Sequence, residues 1–184
     1  MTHIYHEEQL KIMRQAIVRF NLEGPNFKLD ALAQDLKMSK KTLYKCFDSK
    51  EMLLLEVVKE LFLQIKEKEK AVYENNQLNS LEKLMGVLSV YPDYASFNYH
   101  KIPELKDQYP KIYAFVEVEL EENWNQTLEL LDQCIDEGYV GPISHDIFKI
   151  IFLGLYKQLL LTQHEAPDYL MRTCIETIFD GLKK

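Results

Sequence analysis

A stretch of fifteen residues, Ser39 to Leu53, constrains this chain more than any other, and it reads SKKTLYKCFDSKEML. Ser39 can cap a helix by accepting a free backbone amide, and Leu43 and Phe47 then recur four residues apart on one apolar face. The outward face is left with ammonium and hydroxyl groups, on Lys40, Lys41, Thr42, Tyr44 and Lys45. Such a helix suits a DNA major groove, because lysines neutralise phosphates and hydroxyl groups bond to phosphate oxygens or base edges. The alternative is an ordinary solvated face, but the hydroxyl groups beside the lysines favour DNA contact.

The residues after this helix predict the start of the next one. Asp48 and Ser49 can end the first helix and cap the second, and Glu51 follows Asp48 by three residues, as in a capping box. Lys50 then lies in the first turn of the new helix, where a cation is mildly unfavourable unless an anion is bound there. A DNA phosphate would supply that anion, so Lys50 joins the predicted DNA contacts.

The segment from Ile12 to Leu54 resembles the DNA-binding region of the TetR family of bacterial transcriptional regulators. The matching residues are Ala16 and Phe20 in a first helix, Leu32 and Ala33 in a second, and then SKKTLYKCF followed by SKEML. The resemblance implies a helix-turn-helix module and a homodimer on a two-fold-symmetric operator. It also places Lys28 where the family has a Thr or Ser cap. The full set of predicted DNA contacts is Lys28, Ser39, Lys40, Lys41, Thr42, Tyr44, Lys45 and Lys50.

Three short helices are predicted within residues 1–49. Apolar residues recur at helical spacing from His6 to about Leu22, and a Gly-Pro pair follows. The same spacing recurs from Leu29 to Leu36, and the helix that begins after Ser39 is the third. Residues 1–49 are therefore predicted to form a helix-turn-helix DNA-binding domain.

Residues 50–184 are predicted to form a helical-bundle domain for effector binding and dimerisation. A helix without Gly or Pro runs from Lys50 to about Tyr73, long enough to join the DNA-binding module to the body. Another is predicted from Pro110 to about Gly138, with an apolar stripe and an acidic face. No Glu-x-x-His pair accompanies these carboxylates, so we interpret them as solvated surface and expect no metal site. The predicted fold class is all-α.

The last two predicted helices favour a dimer. The stretch from Ile147 to Leu161 is apolar nearly all round, and residues 168–182 carry a single apolar stripe. A helix that is apolar on every side must be covered on every side, and two copies meeting as a four-helix bundle would cover it. The candidate interface residues are Phe148, Ile151, Phe152, Leu155, Leu159, Ile175, Ile178 and Phe179.

Aromatic side chains are concentrated between Tyr91 and Phe115, where three prolines predict an irregular region. Tyr combines a large apolar body with a hydroxyl group, which suits a pocket for a small organic molecule. The alternative is that these rings fill the core of a helical domain. The candidate effector-pocket residues are Tyr91, Tyr94, Phe97, His100, Tyr113, Trp124, Phe152 and Tyr156.

The charges divide the chain into a basic and an acidic part. The net charge is −7, yet residues 1–50 hold nine basic and six acidic side chains, whereas residues 51–184 hold 13 basic and 23 acidic ones. A basic N-terminal unit on an acidic body is typical of a DNA reader with a separate regulatory part. The sequence therefore favours double-stranded DNA as a partner, in spite of its negative net charge.

The cysteines and the apolar stretches bear on location. Cys46, Cys134 and Cys174 are odd in number, widely spaced and without a CxxC motif, which favours reduced thiols in a cytoplasm and no zinc site. No signal peptide or membrane span is predicted. Cys46 lies on the predicted recognition helix and could make DNA binding redox sensitive; the alternative is a partly buried thiol beside Phe47.

The sequence is compatible with three functions. The sequence favours a ligand-responsive homodimeric DNA-binding regulator, in the role of a repressor, whose effector acts through the long helix that begins at Lys50. A protein-interaction adaptor that keeps the module without binding DNA is the alternative, but it would present an acidic or apolar face instead of lysines. An enzyme is disfavoured, because the five histidines are scattered and no nucleophile elbow or glycine-rich phosphate loop is present. No cofactor is expected.

Overall fold

The computed structural model describes residues 5–90, 98, 101–161 and 167–183. In these ranges the chain forms ten α-helices, one 3₁₀ turn and no strand, which confirms the predicted all-α class. The helices are α1 (Glu7–Glu23), α2 (Leu29–Asp35), α3 (Lys40–Cys46), α4 (Lys50–Tyr73), α5 (Ser80–Leu88), α6 (Leu105–Gln108), α7 (Pro110–Glu121), α8 (Asn125–Asp136), α9 (His145–Leu161) and α10 (Pro167–Leu182). The 3₁₀ turn, Gly24–Asn26, joins α1 to α2.

Helices α1 to α3 form the predicted three-helix module. Helix α1 buries an apolar face that includes Ile17 and Phe20, α2 buries Leu32, and α3 buries Leu43. The helices begin and end within about one residue of the predicted positions. The buried residues are those of the predicted apolar stripes, because the face of a helix that carries such a stripe packs against the core. The link between α2 and α3 turns at Lys37, whose φ of 53° is left-handed.

Helix α4 runs from Lys50 to Tyr73, as predicted. The side-chain oxygen of Ser49 accepts the backbone N–H of Met52 at 3.0 Å, so Ser49 supplies the cap at its start. Further along the chain, Asn79 and Glu82 form a reciprocal capping box that fixes the start of α5. These caps satisfy amides that have no partner inside their own helices.

The helix predicted from Pro110 to about Gly138 is instead two helices, and this expectation was wrong. Helix α7 ends at Glu121 and α8 begins at Asn125, because Asn123 adopts a left-handed φ of 66°. The indole Nε1 of Trp124 donates to the carbonyl oxygen of Leu120 at 3.1 Å, and its ring is buried. Asn tolerates the left-handed conformation better than most residues, so it can break the helix while the apolar spacing continues.

Contacts group the chain into two compact units. The first comprises Met1–Leu61 and Tyr94–Glu117, and the second comprises Phe62–Asp93 and Val118–Lys184. Helix α4 therefore contributes residues to both units. The core of the second unit includes side chains from α5, α8, α9 and α10. The boundary predicted after residue 49 divides a DNA-binding domain from an effector-binding and dimerisation domain, and this division by function remains a prediction.

The turn after α1 depends on a glycine. Gly24 has φ 64° and ψ −158°, a combination that is essentially restricted to glycine. A Cβ atom there would also collide with the Glu104 carboxylate, which forms an ion pair with Lys101 at 3.0 Å. Close by in the same unit, the backbone N–H of Asn98 donates to the Asn21 side-chain oxygen at 2.7 Å.

We expect Gly24→Ala to lower the free energy of unfolding by about 2–3 kcal/mol, because backbone strain and the collision act together. Gly138→Ala is the matched control: Gly138 has φ 77° but nothing within 4 Å of the added Cβ. Gly138→Ala should lower the free energy of unfolding by about 1 kcal/mol, because only backbone strain acts there. Urea unfolding measures both losses, and equal losses would show that the Glu104 side chain moves aside without cost.

Burial sets the ionisation of one side chain in the second half of α4. It raises the pKa of Glu69 to about 7, and nearby Lys66 only partly offsets this effect. The folded state therefore prefers the protonated carboxyl. Glu69 therefore costs no stability below pH 4.5, its ordinary pKa, and its ionisation in the unfolded chain increasingly disfavours the folded state as the pH rises from 4.5 to about 7.

We expect Glu69→Gln to remove this pH dependence, because the amide stays neutral. At pH 8 the variant should be more stable than the unchanged chain by about 1–2 kcal/mol, a value reduced for the partial exposure of the carboxyl. Near pH 4 the two should be equal. Glu67→Gln, at an exposed position of the same helix, is the control. Urea unfolding from pH 4 to pH 8 measures the stability of both variants. The same pH dependence in both would contradict the expectation.

Candidate nucleic-acid interface

Helix α3 presents one buried face and one solvent face. Leu43 and, just beyond the helix, Phe47 are buried. Tyr44 is 48% exposed, Lys40, Lys41 and Lys45 are exposed, and Thr42 is half-buried. The predicted separation of apolar and polar residues is therefore present, and the polar groups lie on the side that faces water.

Two hydroxyl groups are fixed at the start of α3. Ser39 Oγ accepts the Thr42 backbone N–H at 3.1 Å and lies 2.9 Å from Thr42 Oγ1. Ser39 thus performs the predicted capping role, and it orients the Thr42 hydroxyl at the same time. Each hydroxyl oxygen keeps hydrogen-bonding capacity for a phosphate oxygen or a base edge.

Lys40 forms an ion pair with Asp30, which lies in the first turn of α2. Lys28, just before α2, is exposed and lies at the N-cap position without a side-chain capping bond. Asp30 is not among the residues predicted for the interface, because ten positions separate it from Lys40 and only the packing of α2 on α3 brings the two together. The only sequence signal for this ion pair is the negative charge of Asp30.

The Lys50 ammonium is engaged inside the protein. It donates to the carbonyl oxygen of Pro25 at 2.6 Å and to that of Phe27, and it lies 4.2 Å from the centroid of the Phe27 ring. Burial lowers the pKa of Lys50 from its ordinary value. Lys50 therefore ties the start of α4 to the turn between α1 and α2, a structural role that the sequence did not reveal. Its predicted phosphate contact remains a prediction.

The thiol of Cys46 is half-buried and lies 3.8 Å from a carboxylate oxygen of Glu8. Burial, and then the negative charge of Glu8, raise the pKa of Cys46 above its ordinary value. A thiol held in its protonated form is a poor nucleophile. The environment thus favours the interpretation of Cys46 as a packing residue over a redox role.

The candidate effector residues are divided between the two units and the part of the chain outside the described residues. Tyr91, Tyr94, Phe97 and His100 lie outside the described residues. Tyr113 lies in the first unit, with the Lys106 ammonium 5.6 Å from its ring centroid. In the second unit, the rings of Trp124 and Tyr156 have centroids 6.4 Å apart.

Two of the effector candidates have partners within the second unit. The Tyr156 hydroxyl donates to the carbonyl oxygen of Leu88 at 2.9 Å. Phe152 is fully buried, with ring centroids 4.6 Å from Phe148 and 6.1 Å from Phe179. These contacts agree with core packing, and the effector pocket stays a prediction.

The candidate dimer residues fall into two groups. Five of them are covered within a single chain, and they are Phe148, Phe152, Leu159, Ile175 and Phe179. Ile151, Leu155 and Ile178 are only partly buried. Two isoleucines outside the predicted interface, Ile147 and Ile150, are 53% and 70% exposed. The apolar surface available to a partner chain therefore lies beside the buried phenylalanines and not on them.

Metal-binding clusters and membrane-spanning helices do not occur among the described residues. In the described ranges, no three or more His, Cys, Asp or Glu side chains are arranged to hold a metal ion. Among the same residues, no helix is both long enough and apolar enough to cross a membrane.

The fold matches solved structures along nearly the whole chain. The ketosteroid transcriptional regulator KstR2 of Mycobacterium tuberculosis has a TM-score of 0.69 and 15% identity, over 98% of this chain and 97% of the other. The TetR family transcriptional regulator PfmR from Thermus thermophilus has a TM-score of 0.69 and 17% identity, over 94% and 99%. The chain therefore has the fold of TetR-family regulators, which confirms the resemblance seen in Ile12 to Leu54.

A sequence relative agrees with the structural match. The uncharacterized HTH-type transcriptional regulator YvaF of Bacillus subtilis (strain 168) is 26% identical in an alignment of length 178 that covers 94% of this chain and 94% of the other. No protein-family model matches the chain.

We expect Lys45→Ala to weaken binding to every duplex and to lower the salt slope by about one per subunit, because one phosphate contact is lost. Its stability should change by less than about 0.5 kcal/mol, since Lys45 is exposed. Lys50→Ala should instead lower the free energy of unfolding by about 1–3 kcal/mol, because two carbonyl groups lose their donor.

Fluorescence anisotropy at several salt concentrations, together with urea unfolding, separates these effects. An unchanged affinity and salt slope for Lys45→Ala would remove Lys45 from the interface. A Lys50→Ala variant that unfolds like Lys45→Ala would show that the contacts of Lys50 with the turn carbonyls contribute nothing to stability.

Proposed function

We propose that this protein is a TetR-like transcriptional regulator that binds a palindromic operator as a homodimer and represses transcription. The observation that carries the proposal is the solvent face of α3, which presents three lysines, Thr42 and Tyr44. The opposite face is held in the core by Leu43 and by Phe47, just beyond the helix. Within the described part of the chain, Lys41 and Lys45 make no ion pair, so their charges are available to phosphates. The regulators that share the fold support the same function.

The proposed contacts divide into two kinds. Lys28, Lys41 and Lys45 are exposed and position the module on the DNA backbone, because an ammonium group attracts any phosphate. Lys50 would contact a phosphate only with the hydrogen-bonding capacity left after its bonds to the Pro25 and Phe27 carbonyls. Ser39, Lys40, Thr42 and Tyr44 lie at or near the start of α3 and have groups that can reach base edges in the major groove. A helix in the major groove is how helix-turn-helix proteins read sequence.

The dimer is proposed to form through α9 and α10. Ile147, Ile150 and Ile151 follow one another on one face of α9, and exposed Gly154 continues that face, where an added Cβ would have nothing within 4 Å. Ile178 of α10 is also only partly buried. An apolar face of this kind is best covered by a second copy, since a two-fold interface uses the same surface on both subunits.

A small-molecule effector is proposed to bind the body and to change DNA affinity. Helix α4 is continuous from Lys50 to Tyr73 and contributes to both compact units, so it offers a route by which binding in one unit biases the other. The effector must bind the two conformations unequally, and DNA must then alter effector affinity by the same factor. Trp124 and Tyr156, whose ring centroids lie 6.4 Å apart in the second unit, are the described residues proposed to lie beside the ligand, and they would contact it through their rings because their polar groups bond within the chain. A cytoplasmic location follows from this function.

The experiment that tests the proposal is selection of bound duplexes from a random DNA pool by the purified protein at near-physiological salt. We expect enrichment of an inverted repeat, because two recognition helices related by a two-fold axis read two half-sites about one helical turn apart. The control is a variant with Lys41 and Lys45 both changed to Ala, which should enrich nothing. Folded protein that recovers no DNA, with or without cell extract metabolites, would favour the adaptor instead.

A further inference from the structure

The ion pair with Asp30 distinguishes Lys40 from the other lysines of α3. All three lysines, Lys40, Lys41 and Lys45, are exposed. Only the charge of Lys40 is compensated by a neighbouring carboxylate in the described structure, where Lys41 and Lys45 make no ion pair. Three cations on one short helix thus differ in how strongly they should attract a phosphate.

Protein stability does not account for this pair. The side chains of Lys40 and Asp30 are 51% and 59% exposed, and exposed ion pairs contribute little to folding. An acidic side chain beside a DNA-facing lysine also repels phosphates, which lowers affinity for any duplex. The pair therefore weakens general DNA binding without a corresponding gain in stability.

The same pair favours recognition of a base. An ammonium group has three N–H donors, and after one is given to Asp30 two remain. Guanine presents two acceptors, N7 and O6, at its major-groove edge, and lysine is one of their common partners. Compensation of its charge reduces the attraction of Lys40 to phosphates but leaves those donors in place, at the first position of α3.

Resting on the proposed DNA-binding function, we propose that Asp30 is a positioning residue that directs Lys40 to a guanine in each half-site instead of to a phosphate. Asp30 thereby lowers affinity for unrelated DNA and increases discrimination at one base pair. The selectivity of the module then depends on α2 as well as on the recognition helix.

The test compares Asp30→Asn with Asp48→Asn. Both substitutions remove one exposed carboxylate from the same module, but Asp48 makes no ion pair in the described structure. Each variant is used to select duplexes from a random pool, and its affinity for the enriched and for a scrambled duplex is measured at several salt concentrations. Urea unfolding verifies that both variants are folded.

For Asp30→Asn we expect tighter binding to scrambled DNA, a salt slope steeper by about one per subunit, and about a tenfold weaker preference for guanine at one position. For Asp48→Asn we expect the guanine preference to be unchanged. Lys40→Met should lose the preference at that same position, whether or not Asp30 is also changed, because Asp30 acts through Lys40.

The outcomes distinguish this inference from the function on which it rests. Equal effects of Asp30→Asn and Asp48→Asn on selectivity would show that only net charge matters, which overturns the role of Asp30 and leaves DNA binding intact. Retention of the guanine preference by Lys40→Met would overturn it as well. Failure of the unchanged chain to bind any duplex would overturn both proposals.

Discussion

The orientation of α3 depends on the burial of two apolar side chains. Leu43 and Phe47 are almost inaccessible to water, and burying a Leu or Phe side chain contributes about 1.5–3 kcal/mol each. Rotation of the helix about its axis would expose them, and the polar residues between them would enter the core. The lysines, Thr42 and Tyr44 therefore face outward as a consequence of core packing, and no separate interaction is needed to present them.

The sequence predicts the module well, because its apolar spacing and its caps agree. Helix α3 begins after Ser39 and α4 spans Lys50–Tyr73, as the pattern indicates. The break at Asn123 was not predictable in this way, since the apolar spacing of α7 continues into α8 and only the backbone conformation of one residue interrupts it. Local patterns define helices, whereas a change of direction between them depends on tertiary packing.

Side-chain partners were less predictable than helices. Lys50 reads as a phosphate ligand in the sequence, yet the fold brings two carbonyl groups to its ammonium from residues more than twenty positions away. Asp30 and Lys40 likewise meet only after α2 packs on α3. Phe148 and Phe152 are apolar enough for an interface but are covered within one chain. The apolar character of the phenylalanines indicates that they are buried, but it does not indicate whether the same chain or a partner chain buries them.

The complete aromatic core of the second unit has a consequence for how the protein would respond to its own abundance. Phe148, Phe152 and Phe179 are covered without a partner, so burial of these three rings does not require a second chain. Under the proposed dimer, we therefore expect folding and pairing to be separate equilibria. Where most chains are unpaired, the amount of dimer rises with about the square of the chain concentration, so a twofold change in synthesis would change the occupancy of a largely free operator by more than twofold.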